Sequence, residues 1–296
     1  KENSILIYLD NSRWLSVSDP DRRYFFVSLG CALENILIAA DLYGLPTEVK
    51  YLPKGEGDIA ARIDFEFPKK INDKQANKKH LAFSIPKRCV NRSKYSDKKI
   101  PQYLIDQIKS FSDKDVEVSL VSDQEMKEKM SKIMLDSRVK SFDNKLFREE
   151  MAKYKKNNWT HSPVGITGAT MGFSTPMSFI ASFVIKHINV IKIIRKKEEV
   201  LLEKHTPLFV VVSAKENTKR NWLKSGRIFE RCLLTARQHN VQTAISALSS
   251  DLEKKQIKEI LNTEYFPQIL FRAGYTDKAF PHSPRLQEKE VIINNL

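Results

Sequence analysis

Between Lys87 and Tyr95 the chain reads Lys-Arg-Cys-Val-Asn-Arg-Ser-Lys-Tyr. Arg88 and Arg92 carry fork-shaped guanidinium donors, Asn91 an amide and Ser93 a hydroxyl. On a non-regular segment before a helix, such a set can wrap a dianionic phosphate. The same residue types also make a solvated basic loop, and the residues alone leave both readings open. A further arginine, Arg285, closes the tail segment Pro281-His282-Ser283-Pro284-Arg285. Held between extended, proline-containing residues, it could reach the same anion.

Other chemistries are excluded more firmly. The 296 residues include only nine glycines and contain neither Gly-x-Gly-x-x-Gly nor a P-loop. Both motifs need glycine so that backbone can approach phosphate, so any nucleotide or flavin here must be held by side chains. No Ser-His-Asp or paired-carboxylate constellation stands out, and no catalytic residue is assigned. The three cysteines (Cys31, Cys89, Cys232) and six histidines show no metal-ligand spacing, and no metal is expected. Odd, scattered cysteines fit a reducing compartment, and a cytoplasmic location is expected. The formal charge is +14. Without a basic face interleaved with aromatics, a solvated lysine-rich surface is preferred over a nucleic-acid partner. The longest apolar stretch, Phe179 to Ile194, is interrupted by Lys186, His187, Asn189 and Lys192. No membrane partner is expected. Lys1-Glu2-Asn3-Ser4 leads straight into an apolar run, which reads as a chain entered within a fold rather than as a signal peptide.

These groups need a frame. Strands are predicted at 5–10, 47–52, 59–67, 116–121, 207–214, 243–248 and 266–275, from alternation or buried apolar runs. Helices are predicted from Asp19-Pro20-Asp21 to a Gly44 stop, weakly over 78–87, and over 100–111, 123–154, 177–204, 217–239 and 251–262. Met126, Met130, Ile133 and Met134 form a core stripe. Residues 157–176 form a loop holding Gly165, Gly168 and Gly172. Strands and helices interleave without a strict βαβ rhythm, so the class is α+β.

A shift of 196 positions superposes two of these helices. Gly30 falls on Gly226, Glu34 on Glu230, Leu37 on Leu233, Ala40 on Ala236 and Thr47 on Thr243. Each helix leads into a strand, and a second strand follows further on. The pattern suggests a duplication, with the two helices packed centrally and Gly30 and Gly226 permitting close approach.

Arg88-x-x-Asn91-Arg92 before the Pro101 helix resembles the N-terminal arginine motif of flavin-dependent nitroreductases. The strand at 208–214, the helix around Trp222, Phe266-Pro267-Gln268-Ile269-Leu270-Phe271-Arg272-Ala273-Gly274-Tyr275 and Pro284-Arg285 resemble that family's C-terminal half in order. Asp10-Asn11-Ser12-Arg13, Asp19-Pro20-Asp21-Arg22-Arg23 and the helix through Gly30-Cys31-Ala32-Leu33-Glu34-Asn35 look like its Acg-type branch. The resemblance covers essentially the whole chain.

It implies a nitroreductase-like fold in two fused, diverged copies forming an intramolecular pseudo-dimer. Residues 1–77 would be a first, degenerate half and 78–296 a second half with the 157–176 loop. One FMN would sit between the halves, with Arg88, Asn91, Arg92, Ser93 and Arg285 around its phosphate. Gly165 and Gly168 would belong to a lid over the flavin, although a plain connection would read the same way. The implied reaction is hydride transfer from NAD(P)H, a transient reductant, through FMN to a nitroaromatic, quinone or similar small-molecule acceptor. FMN storage with little reductase activity is the alternative. Either a monomeric pseudo-dimer or a homodimer is compatible with it. The branch's Pro-Ser-x-x-Asn-x-Gln-Pro-Trp segment, which meets the flavin, would lie just before Lys1. Val90 stands where a threonine or serine is usual, and Ser93 is the available hydroxyl.

Overall fold

The computed structural model describes residues 3–53, 58–67, 80–248 and 250–293. The start of the expected 78–87 helix lies outside them. The remainder of that helix is one 3-10 turn, Leu81–Ser84.

The first part of the chain is a β-α-β-β unit. It comprises β1 (Ser4–Tyr8), α1 (Arg23–Leu42), β2 (Thr47–Tyr51) and β3 (Ile59–Phe65), with an antiparallel sheet in the order β1-β3-β2. The helix-start signal acts through Asp19, whose carboxylate accepts the N–H groups of Tyr24 and Phe25, both at 2.9 Å. Gly44, at φ +65°, supplies the left-handed stop. Among the described residues, α1 is the helix that alone has the length and apolarity of a membrane span. Its buried face packs on another helix, as shown below.

Next come α2 (Gln102–Lys109), β4 (Val116–Val121), α3 (Gln124–Asp143), α4 (Lys145–Lys153), β5 (Lys155–Lys156), β6 (Ile166–Thr167), α5 (Thr175–His187) and α6 (Val190–Lys204). Two expected helices are each broken in two. Asn144 accepts the N–H of Leu146 at 2.9 Å and so caps α4. Asn189 accepts from Ile191 at 3.1 Å and caps α6, which turns by 112° from α5. In both cases the cap outweighs continuous apolar periodicity.

The last part repeats the opening topology. It comprises β7 (Leu208–Ala214), α7 (Lys219–Gln238), β8 (Gln242–Ser246), α8 (Asp251–Leu261) and β9 (Phe266–Gly274). The antiparallel sheet runs β4-β7-β9-β8, so β7-β9-β8 has the order of β1-β3-β2, with α8 inserted before the last strand. Every residue of β7 is buried because both sheet faces are covered. Val210, Val212, Ile269 and Phe271 meet Leu223, Phe229 and Leu233 of α7. Phe209, Val211 and Leu270 meet Met130, Met134 and Leu135 of α3, with Leu202 and Ile257. The methionine stripe is core packing.

α1 and α7 meet at Gly30 and Gly226. A Cβ on Gly30 would lie 2.1 Å from the Leu223 carbonyl oxygen, and one on Gly226 would lie 2.0 Å from that of Val27. Val27 and Leu223 are themselves 196 positions apart, so the contact has internal twofold character. The polar contacts follow it. Buried Glu34 accepts from Arg231 of α7 at 2.6 Å, and buried Glu230 accepts from Asn35 of α1 at 3.4 Å. Phe26 and Trp222, the same distance apart in sequence, place their ring centroids 6.0 Å from each other. Cys31 Sγ donates to the Gly226 carbonyl at 3.3 Å, and burial pushes its thiol pKa up, as it does for Cys232. Both behave as packing thiols.

Candidate functional site: a cationic recess beside the central sheet

The segment that opened the sequence reading lies along the edge of β8. Val90 bridges Thr243 in parallel, and the Asn91 N–H donates to the Thr243 carbonyl at 2.8 Å. Asn91 is buried, and both polar atoms of its side chain are hydrogen-bonded. Its Oδ1 accepts from Ser93 N at 3.1 Å and from Ser93 Oγ at 2.6 Å, while its Nδ2 donates to the Lys278 carbonyl at 2.7 Å. The Tyr95 hydroxyl donates back to the Asn91 carbonyl at 2.7 Å. Asn91 and Ser93 therefore shape the turn and tie it to the tail.

The two arginines of the motif have different partners. Arg88 Nε lies 3.0 Å from Glu230 on α7 and is committed to that buried carboxylate. Arg92 donates to the Thr170 carbonyl at 3.1 Å. Its charged neighbours are Arg138 and Arg272, opposed more weakly by Tyr95 and Glu198. Burial, then Arg138 and Arg272, hold its pKa below the ordinary arginine value. Arg92 still reaches solvent. It is exposed on one side, yet the protein packed around it disfavours its charged form, and we read its surroundings as a recess.

Three further cations complete the recess. Arg272, on β9 and 4% exposed, donates to the Ser93 carbonyl at 2.8 Å and lies 4.4 Å from the Tyr95 ring centroid. Its Nη1 is buried with no hydrogen-bond partner. Arg138, on α3, donates to Glu198 Oε2 at 3.1 Å and to Ser246 Oγ at 2.6 Å. Lys155, on β5, has its pKa pushed down to about 8 by burial and then by Arg92. Among the described residues, the carboxylate that acts on Arg92 and Arg272 is Glu198, which also accepts from Arg138. Burial disfavours the charged forms of Arg92, Arg272 and Lys155, and with the unused Arg272 donor such a group can accept an anion.

The Lys155 shift has a defined sign. Its folded pKa of about 8 lies below its ordinary 10.5. Below pH 8 the folded state carries the full penalty of a desolvated ammonium. Between pH 8 and 10.5 the unfolded chain binds more protons, so stability rises with pH. Thermal melts of the protein should show this rise, and Lys155→Met should remove it. An identical pH profile in the variant would place the titration elsewhere.

The glycine loop forms one wall of the recess. Gly165, at φ +122°, precedes β6, which pairs in parallel with β5. Gly168 leaves room for α5: an added Cβ would lie 2.4 Å from Ser178 Cβ. The Gly168 N–H donates to the Lys156 carbonyl at 2.9 Å, and the loop presents the Thr170 carbonyl to Arg92. Arg285 is exposed, and its Nη1 lies 3.2 Å from the Ser283 carbonyl of its own tail. Of the residues expected around one phosphate, only Arg92 stands among the other cations of the recess. Arg138, Lys155, Ser246 and Arg272 were not among the residues expected there from the sequence. For Arg272 a signal was present, as an arginine inside the otherwise apolar run Ile269–Ala273.

No family model and no curated protein matches the chain. Among solved structures it is similar to an FMN- and NADPH-dependent nitroreductase from Sphingopyxis sp. strain HMH. That match has 14% identity and a TM-score of 0.49, and covers 73% of this chain and 98% of that one. It is similar to an FMN-dependent nitroreductase from Clostridium difficile, with 17% identity, coverage of 72% and 98%, and a TM-score of 0.40. A third similar structure is oxidized iodotyrosine deiodinase bound to FMN and 3-iodo-L-tyrosine. There the identity is 14%, the coverage 73% and 98%, and the TM-score 0.45.

Proposed function

We propose that the chain is an FMN-binding oxidoreductase of nitroreductase type, built as a fused pseudo-dimer with its boundary near residue 77. The repeated β-α-β-β order and the contacts related by 196 positions support the duplication. One observation carries the cofactor assignment. Among the described residues, the recess holds Arg92, Arg138, Arg272 and Lys155 against Glu198, with Arg272 Nη1 buried and unpartnered. That donor set fits a dianionic phosphate, which takes several charge-assisted hydrogen bonds at once.

Arg92 is the phosphate ligand drawn from the arginine motif. Arg272 and Arg138 supply further guanidinium donors, Ser246 a hydroxyl and Lys155 a point charge. Asn91 and Ser93 hold the turn that presents Arg92. Arg88, fixed by Glu230, ties the same segment to the central helix pair. The Gly165–Gly168 segment walls the recess, and Arg285 can approach from the exposed tail. Bound there, FMN would supply hydride exchange between NAD(P)H and an electron acceptor such as a nitroaromatic or quinone. The chain would anchor the phosphate and orient the rest of the molecule.

Anaerobic titration tests this reading. The protein should take up FMN and show a flavin absorption band. NADPH should bleach the band, and a nitroaromatic should restore it. A protein that gains no flavin absorbance overturns the assignment. Bound flavin that NADPH leaves oxidised overturns the reductase activity.

A further inference from the structure

We propose that the outward face of α5 docks the protein onto an anionic lipid bilayer. The face is reversed relative to an ordinary surface helix. Ser178, Ala181 and Ile185 point inward and are buried. Met177, Phe179, Ile180 and Phe183 point to water, with Phe183 67% exposed. Trp159, 72% exposed, extends the patch by meeting Phe179 edge-on at 5.1 Å. Ile188 and Ile193 continue it across the bend into α6. Soluble surfaces rarely gather this much apolar side chain in one place without a partner.

Charge selects the occupant. From residue 144 to the end of α6 at Lys204 there are eleven Lys and Arg against five acids, Glu149, Glu150, Glu198, Glu199 and Glu203. About a fifth of the chain therefore carries a net six of its fourteen positive charges. Glu150 is turned inward, accepting from Ser18 Oγ at 2.7 Å. Lys186, Lys196 and Lys197 are exposed and form no ion pair among the described residues. An apolar, aromatic face rimmed by lysine is the pattern of helices that lie in the headgroup layer of anionic membranes. Long lysine side chains can keep their ammonium groups at the phosphates while the rings enter the acyl boundary. A second copy of the chain would bring the same excess positive charge to the contact. The 112° bend between α5 and α6 places the pair along a surface and not across it as one straight span. This departs from the expectation of no membrane partner, which rested on the lack of a spanning segment; a face lying on a bilayer needs none. This inference does not depend on FMN binding.

Flotation with vesicles tests it, using roughly three parts phosphatidylcholine to one part phosphatidylglycerol, against pure phosphatidylcholine. The protein should bind the anionic vesicles at least about tenfold more tightly, and added salt should weaken that binding. Phe183→Glu should reduce binding by about tenfold or more while leaving the thermal melt unchanged, because the ring is exposed. Absence of binding to the anionic vesicles overturns the proposal. So does binding that Phe183→Glu leaves intact, which would be adsorption by charge alone. Self-association lost in Phe183→Glu, without vesicle binding, would assign the face to a second copy.

Discussion

Arg92→Met should release FMN while leaving the flavin-free protein at least as stable as before. In the free protein Arg92 has one neutral acceptor, the Thr170 carbonyl, and is opposed by Arg138 and Arg272, which outweigh the attraction of Glu198. Removing it relieves like-charge repulsion in a desolvated recess, which offsets the lost hydrogen bond. With phosphate present, the same substitution deletes a charge-assisted donor from a dianion. That costs about 2–4 kcal/mol, or roughly 30- to 700-fold in Kd. Fluorescence titration of FMN and a urea melt measure the two effects separately. Unchanged FMN affinity would move the phosphate elsewhere. Arg88→Met is the contrast, since it strands Glu230 in the interior and should lower stability with or without flavin.

Gly226→Ala should be the most damaging single-methyl addition in the fold. The new Cβ would lie 2.0 Å from the Val27 carbonyl oxygen, and that obstacle is helix backbone, not a side chain that can rotate away. α1 and α7 would have to separate, disturbing the Glu34 and Glu230 contacts together. A loss of about 3 kcal/mol or more is expected, with a fall in Tm of at least about 6 °C. A melt within a degree of the parent would show that the two helices do not need this approach. Gly30→Ala, facing the Leu223 carbonyl, should behave in the same way.

Much of the frame was legible because its causes are local. The buried run at β7 and the Gly44 stop each write their element in a few residues. Gly30 and Gly226 were legible as a pair because small residues recur at the same phase of two similar helices. Asn144 and Asn189 were missed because each sits inside a longer apolar periodicity, and a side-chain cap is a one-residue signal. The site divides on the same principle. Arg92 belongs to a local motif. Arg138, Lys155 and Arg272 come from a helix, a short strand and a central strand that only tertiary packing brings together. The motif also suggested one shared task for Arg88 and Arg92. That Arg88 faces a buried glutamate on α7 is set by the helix pair, which no spacing within the motif encodes.

The central claim is that the recess grips a phosphate, and comparing FMN with riboflavin tests it most directly. The two share the ring and ribityl chain and differ by that phosphate. Quenching of flavin fluorescence near pH 7 should give FMN an affinity at least about a hundredfold higher than riboflavin, as expected for two or more charged hydrogen bonds. Inorganic phosphate should compete with FMN. Equal affinity for the two flavins, or no binding of either, would contradict the assignment of Arg92, Arg138, Lys155 and Arg272 to an FMN phosphate.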